Sequence, residues 1–235
     1  MQCVILAAGK GTRMRPLTEH LPKPLVEVCN KPLLFHVFDA LPENITGIVL
    51  VVSYKADMLR ETIGSSYKGL SVHYVHQDDP SGGTGQALLL TKHYVQDHFL
   101  LMYADDIHGA QALRDAVQHE SSLLVQTSDH PQDFGVVLRN EDGTLMRILE
   151  KPEEPPSNLV SVGGMVLLPD IYTYETALDH RIGEVLLTDM VNLYALNHPI
   201  HVVEQATWYP VGRPEDITAA ESALCPEMID KKVGV

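Results

Sequence analysis

Apolar runs and amphipathic stretches alternate along the first half of the chain, and the alternation changes character near residue 120. Val4-Ile5-Leu6 is the first apolar run and reads as a buried strand. Residues 33–41 carry Leu34, Val37, Phe38 and Leu41 on one helical face. Residues 48–53 are rich in β-branched side chains and predict a second buried strand. A short helix follows over 57–63, a third strand over 72–75, and a helix over 84–94 after the Gly82-Gly83 break. Residues 99–103 form the fourth strand and 111–118 the next helix. This order predicts an α/β fold: a Rossmann-like, doubly wound, mostly parallel sheet with helices on both faces. Such sheets bind ligands beyond the carboxyl ends of their strands. Gly9, Gln77 and Asp105 all fall just past predicted strand ends.

Beyond residue 120 the helices thin out. Residues 121–127, 135–139, 145–149 and 161–168 are strand-like, and Asn140-Glu141-Asp142-Gly143 is a hairpin signal. This half reads as a mixed or antiparallel part added to the first. A helix over 190–196, a strand over 201–204 and a helix over 214–223 complete the pattern. The proline-rich stretch 152–156 is too short to be a linker, so the expectation is one domain over 1–235 with halves 1–120 and 121–235.

Composition changes this picture little. With 45% apolar and 20% charged residues, the 235-residue chain has the makeup of an ordinary globular protein able to bury a core. Its net charge of −14 opposes binding to nucleic acid or anionic membrane. An acidic chain that handles a polyanion must gather its few cations locally, which singles out Lys10, Arg13, Lys23 and Lys151. The N-terminus has no signal-peptide pattern, and no 18-residue apolar run suggests a membrane span. Cys3, Cys29 and Cys225 are widely spaced, so neither a disulfide framework nor a zinc site is expected, as suits a reducing cytoplasm.

The chemistry gathers first in Ala7-Ala8-Gly9-Lys10-Gly11-Thr12-Arg13, a glycine loop directly after the first strand. Such loops turn backbone N–H groups toward phosphate. Lys23, between Pro22 and Pro24, adds a second fixed cation, which suggests a triphosphate. The spacing is neither G-x-G-x-x-G, since Met14 stands where glycine is needed, nor G-x-x-x-x-G-K-[ST]. The element from Leu6 to Thr18, followed by Pro22-Lys23-Pro24-Leu25, resembles the signature of the sugar-1-phosphate nucleotidyltransferases, the nucleotide-sugar pyrophosphorylases, with their glucose-1-phosphate thymidylyl and uridylyl members. The resemblance implies transfer of a nucleotidyl group from an NTP, UTP or dTTP, to a sugar 1-phosphate, with Mg²⁺ and release of pyrophosphate.

By resemblance, Arg13 serves the β- and γ-phosphates and Lys23 the α-phosphate. Leu6, Ala7, Ala8, Gly9, Gly11 and Thr12 line the nucleotide. Gln77, Gly83 and Thr84 resemble the elements that read the base. Asp105 takes the metal-ligand position, and Asp106 either assists it or caps the next helix. On the sugar side, Phe134-Gly135 resembles an aromatic-Gly segment, and Glu150-Lys151-Pro152 matches an E-K-P motif whose Glu meets sugar hydroxyls and whose Lys meets the sugar phosphate. Gly164 falls in a partly matched N-x-G segment, with Val162 in the place of Asn. Glu184 is either a sugar contact or a helix N-terminal charge. The nucleotide then belongs to 1–120 and the sugar to 121–235. The length leaves no room for the left-handed β-helix that some members append. Related enzymes often form homo-oligomers, but the sequence marks no interface.

One segment departs from the pattern. The family reads W-x-D-x-G-T-P-E-D where this chain has Trp208-Tyr209-Pro210-Val211-Gly212-Arg213-Pro214-Glu215-Asp216. Pro210 stands in place of a second metal-binding carboxylate. The departure keeps open a catalytically impaired regulatory relative that binds nucleotide sugar. A third reading is a cytidylyltransferase acting on a non-sugar phosphate, although the Phe134-Gly135 and Glu150-Lys151-Pro152 elements favour a sugar.

Overall fold

In a computed structural model, which describes residues 1–179 and 183–227, the first strand is β1 (Gln2–Ala7). The glycine loop and short 3-10 turns lead to a two-stranded ribbon, β2 (Glu27–Val28) and β3 (Lys31–Pro32). Next come α1 (Leu33–Ala40), β4 (Gly47–Val52), α2 (Ala56–Ile63), β5 (Ser66–Tyr67) and β6 (Leu70–His76). Then follow α3 (Gly83–Leu89), β7 (Phe99–Tyr103), β8 (Asp106–His108) and α4 (Ala110–Ala116). The second half holds β9 (Ser122–Thr127), β10 (Gly135–Arg139), β11 (Leu145–Glu150) and β12 (Leu159–Leu167). It ends with α5 (Leu187–Tyr194), β13 (His201–Glu204), β14 (Trp208–Pro210) and α6 (Pro214–Leu224).

β1 lies inside the main sheet, parallel to β7 on one side and β4 on the other, and β6 extends the parallel run. Alternate residues of β1 face opposite ways, as strand geometry demands. Cys3 and Ile5 join a core with Leu34, Leu59 and Leu113, from α1, α2 and α4. Val4 and Leu6 join a second core with Leu88 and Met190, from α3 and α5. Helices therefore cover both faces of the sheet, as predicted. The helix expected over 84–94 stops at Leu89. There Thr91 turns its hydroxyl onto the Leu88 carbonyl at 2.7 Å, a local bond that competes with helix continuation.

The second half adds antiparallel pairing. β12 runs antiparallel to β7, β9 and β10, and β10 and β11 form the predicted hairpin around Gly143. The register between β12 and β9 breaks between Ser161 and Met165. This bulge faces the cleft described below, where bulges commonly re-aim side chains.

A third, smaller core sits under the glycine loop. Met14, Val26, Val28, Leu33, Ile107, Val211 and Ala220 pack there, joining the loop to the β8–β14 ribbon and α6. The expectation of no disulfide is corrected at this point: Cys29 and Cys225 are bonded, fastening the end of α6 to the β2–β3 turn. Their separation of 196 residues hid a pairing that only the tertiary fold creates. Cys3 is a free, buried core residue, as expected. Among the described residues no helix is long and apolar enough to cross a membrane.

The ribbon's His108 is 4% exposed, and its Nδ1 lies 3.1 Å from Gln205 Nε2. Its Nε2 is buried with no partner among the described residues. Burial pushes its pKa down to about 4, against the pull of Gln205 and Asp105.

Two stability predictions follow from these features. Reducing the Cys29–Cys225 bond releases a long loop in the unfolded chain and lowers stability by about 2–5 kcal/mol. Thermal unfolding with and without a dithiol checks this, and an unchanged Tm in the Cys29→Ser variant would show the bond to be energetically idle. His108 is neutral when folded and protonates below about pH 6.5 when unfolded. Its contribution is therefore fully present above pH 6.5 and is lost as pH falls toward 4. Urea unfolding is expected to show about 2 kcal/mol less stability at pH 5 than at pH 7.5 from this group. The His108→Gln variant should flatten that difference.

Candidate active site

The site opens at the carboxyl ends of the parallel strands. Ala104 N–H donates to the Leu6 carbonyl at 3.1 Å, so the chain leaving β7 runs beside the chain leaving β1. The glycine loop and Asp105 consequently meet at one end of a cleft of about 1120 Å³. Leu6, Ala7, Ala8, Gly9, Arg13 and Lys23 line this end. Gly11 and Thr12 line an adjoining recess of about 420 Å³ with Lys10, Arg13, Lys23 and Asp105. Gly11 has φ +62°, and a Cβ there would sit 3.0 Å from Lys23 Cβ and 3.1 Å from Thr18 Cγ2. Glycine at this position lets Lys23 pack against the loop.

Lys23 is buried and forms an ion pair with Asp105 Oδ2, whose side chain is 38% exposed. The predicted phosphate ligand and the predicted metal ligand thus neutralise each other. Arg13 is exposed and makes no ion pair or hydrogen bond with a described residue. The nucleotide end presents one unpaired guanidinium and one exchangeable ion pair.

Gln77, Gly83 and Thr84 also line the cleft. Gln77 is buried, and its Nε2 donates to Gly83 O at 3.3 Å and to Gln86 Oε1 at 3.0 Å. Gly83 has φ +87°, and a Cβ there would meet the Val185 carbonyl at 2.6 Å. The segment after Glu184 therefore passes hard against the start of α3. Val185 N–H donates to Gly82 O at 3.0 Å, and Thr84 Oγ1 accepts from Leu187 N–H at 3.2 Å. Glu184 lies ahead of α5 without capping it and lines both cleft and recess, which favours the ligand reading over the helix-charge reading.

Gly135, Glu150 and Lys151 line the other end. A Cβ on Gly135 would come within 2.8 Å of Ile148 Cγ2 and 3.7 Å of Glu150 Oε2. Lys151 Nζ lies 3.7 Å from Glu150 Oε1, and its backbone N–H donates to Phe134 O at 3.1 Å. The Phe134 ring meets Trp208 edge-on at 5.1 Å. Gly164 does not line the cleft, because a Cβ there would strike Leu124 Cδ1 in the core at 2.6 Å. The bulge in β12 presents Gly163 instead, against the Tyr103 ring and Asp106 Oδ2. Several lining residues escaped the sequence reading, among them Ser161, Thr188, Trp208 and Arg213. Thr188 keeps a buried hydroxyl without a partner among the described residues.

One of the two parts expected of Asp106 is corrected: α4 begins at Ala110 after Gly109, so Asp106 does not cap it. Its Oδ1 accepts from Trp208 Nε1 at 3.0 Å. Burial, and then the neighbouring Asp105 charge, raise its pKa well above the usual carboxylate range, although Trp208 and Lys23 oppose the shift. Pro210 pairs across the ribbon with Asp106 and offers no oxygen from its side chain. Among the described residues no group of three His, Cys, Asp or Glu side chains could hold a metal. Asp105, one accessible carboxylate beside a phosphate-sized recess, still fits Mg²⁺, which commonly uses one or two carboxylates together with water and substrate phosphates.

The family model described as nucleotidyl transferase matches residues 2–227. The chain belongs to the nucleotidyl transferase family. This nucleotidyltransferase is 35% identical over 246 residues to the UTP–glucose-1-phosphate uridylyltransferase AglF of Haloferax volcanii, covering 97% of this chain and 98% of that one. It is 32% identical over 238 residues to the bifunctional protein GlmU of Methanococcus maripaludis, over 100% of its own length but 57% of that protein's. Its fold matches the structure of a putative glucose-1-phosphate thymidylyltransferase from Bacillus anthracis with a TM-score of 0.85, at 27% identity over 94% of each chain.

The ion pair yields a prediction for this nucleotidyltransferase. Asp105→Asn leaves the buried Lys23 without its counter-charge, so stability should fall by about 3 kcal/mol. Nucleotidyl transfer should fall by about 100-fold or more. Initial-rate measurements beside a thermal melt check both. Normal turnover would mean that Asp105 serves only to hold Lys23.

Proposed function

We propose that this nucleotidyltransferase joins an NTP, UTP or dTTP, to a sugar 1-phosphate and releases pyrophosphate. The observation that carries this reading is the two-ended cleft. Arg13, Lys23 and Asp105 gather at the end belonging to 1–120, and Gly135, Glu150 and Lys151 at the end belonging to 121–235. A polyphosphate suits the first end. A hydroxylated ring bearing one phosphate suits the second, where Glu150 accepts from hydroxyls and Lys151 neutralises the phosphate. The orphaned Thr188 hydroxyl supports a ligand rich in hydroxyls, since a buried polar group without a partner costs free energy.

The reaction asks little of acid–base chemistry. A sugar-phosphate oxygen forms a bond to the α-phosphorus, the bond from that phosphorus to the bridging oxygen breaks, and its electron pair leaves with pyrophosphate. No proton need move, so positioning and electrostatics dominate. Lys23 exchanges Asp105 for the α-phosphate, and Arg13 grips the β- and γ-phosphates with its planar fork. Asp105, released by Lys23, would hold Mg²⁺, which supplies charge neutralisation at the phosphate oxygens.

Gln77 supports the choice of base. Its Nε2 is engaged twice within the protein, which leaves Oε1 as an acceptor for a ligand N–H. Uracil and thymine carry such a donor at N3, and cytosine has an acceptor there. Pro210 supports a second reading, a regulatory relative that binds nucleotide sugar without turnover.

Pyrophosphate release decides between the two. The protein is incubated with each NTP, Mg²⁺ and a panel of sugar 1-phosphates. Release is expected with UTP or dTTP, at a kcat/KM about tenfold or more above that with CTP, as one lost hydrogen bond would give. Nucleotide binding without release from any pair would select the regulatory reading.

A further inference from the structure

The cationic end of the cleft holds two arginines, and only one comes from the glycine loop. Arg213 lies between β14 and α6 and lines the same cleft as Arg13. A Cβ built on the adjoining Gly212 would lie 3.8 Å from Arg13 Nη2, so the Arg13 guanidinium rests against the turn that carries Arg213. Arg13 makes no ion pair or hydrogen bond with a described residue. Among the described residues Arg213 meets Glu215 Oε1 at 4.0 Å, a long contact with both side chains more than half exposed. Two guanidinium groups on adjoining segments of one cleft, weakly neutralised from within, suit a multiply charged anion.

The backbone of this turn cannot do the same work. The N–H groups of Gly212 and Arg213 both donate to Asp216 Oδ2, at 2.8 and 2.7 Å, and Pro214 has no N–H. The two N–H groups that lead into α6 are therefore spent inside the protein. The turn is well anchored. Val211 N–H donates to the Asp105 carbonyl at 3.0 Å, while the Val211 side chain packs with Met14 in the small core. This ties Arg213 to the two segments that carry Asp105 and Arg13.

The sequence adds an independent observation. In the segment where the resembled pattern reads D-x-G-T-P-E-D, this chain has Pro210 for the Asp and Arg213 for the Thr. One negative charge is removed and one positive charge gained within four residues. Both changes make the same wall more attractive to an anion.

We propose that Arg213 is a second phosphate-binding guanidinium that, with Arg13, grips the β- and γ-phosphates of the NTP and the departing pyrophosphate. This rests on the reading that an NTP occupies the cleft. It makes Arg213 a catalytic residue, because charge builds on the leaving pyrophosphate as the bond to the α-phosphorus breaks.

Inorganic pyrophosphate is the probe, because it reports on this subsite without requiring turnover. Titration calorimetry on the wild-type chain, Arg213→Ala and Arg213→Lys should show about tenfold or more weaker binding in Arg213→Ala, as expected for loss of a charge-assisted contact. Arg213→Lys should restore part of it. In steady-state kinetics the KM for NTP should rise in Arg213→Ala while that for the sugar 1-phosphate stays within about twofold. Arg213→Gln serves if Arg213→Ala does not fold. Undiminished pyrophosphate binding in a folded variant that still catalyses transfer overturns this proposal and leaves the function reading intact. Pyrophosphate binding that depends on Arg213, with no transfer from any substrate pair, overturns the function reading and supports the subsite.

Discussion

The cleft is organised around the ion pair between Lys23 and Asp105. Each partner comes from a segment that follows a buried strand, and the parallel register of β1 with β7 brings those two segments side by side. The loop glycine at position 11 lets Lys23 lie low, and the exit from β7 holds Asp105 half in solvent. With both charges satisfied internally, the free protein avoids an uncompensated buried lysine. The same pair can exchange for a phosphate on one side and a cation on the other. Arg13, by contrast, is unpaired among the described residues. The acidic chain thus keeps one cation ready and holds another in reserve.

The opposite end of the cleft depends on close backbone approach. Gly135 admits Ile148 and Glu150, and Gly163 admits Tyr103 and Asp106. A side chain at either position would push the strands that carry Glu150 and Ser161 away from the cleft. Glu184, held with Val185 against the start of α3 at Gly83, lines both the cleft and its adjoining recess. Small residues in this fold therefore control the distance between its charged groups.

Local chemistry made much of this legible before any coordinates. The residues expected for β7, β10 and β13 form those strands, and the Asn140–Gly143 turn lies where its composition placed it. Elements whose identity rests on short-range pattern and turn residues can be read from a sequence. The glycine loop was legible for the same reason: its glycines and Arg13 lie within one short segment. What escaped depends on partners far away in the chain. The Cys29–Cys225 bond spans 196 residues and the Asp106–Trp208 contact 102. The bulge in β12 presents Gly163 rather than Gly164, and the glycine pair inside a strand was its local signal.

Asp106 faces Pro210, where the resembled pattern has a carboxylate, across the β8–β14 ribbon. The ribbon's other residues set the environment of Asp106. Trp208 donates its indole N–H to Asp106 and packs its ring on Phe134, which binds the carboxyl into the wall beside Gly135. Burial and the Asp105 charge then favour the protonated form. In its protonated form Asp106 adds no negative charge beside Asp105, and Pro210 supplies none from its side chain, so this pair leaves the Lys23–Arg13 end of the cleft less acidic than two carboxylates would.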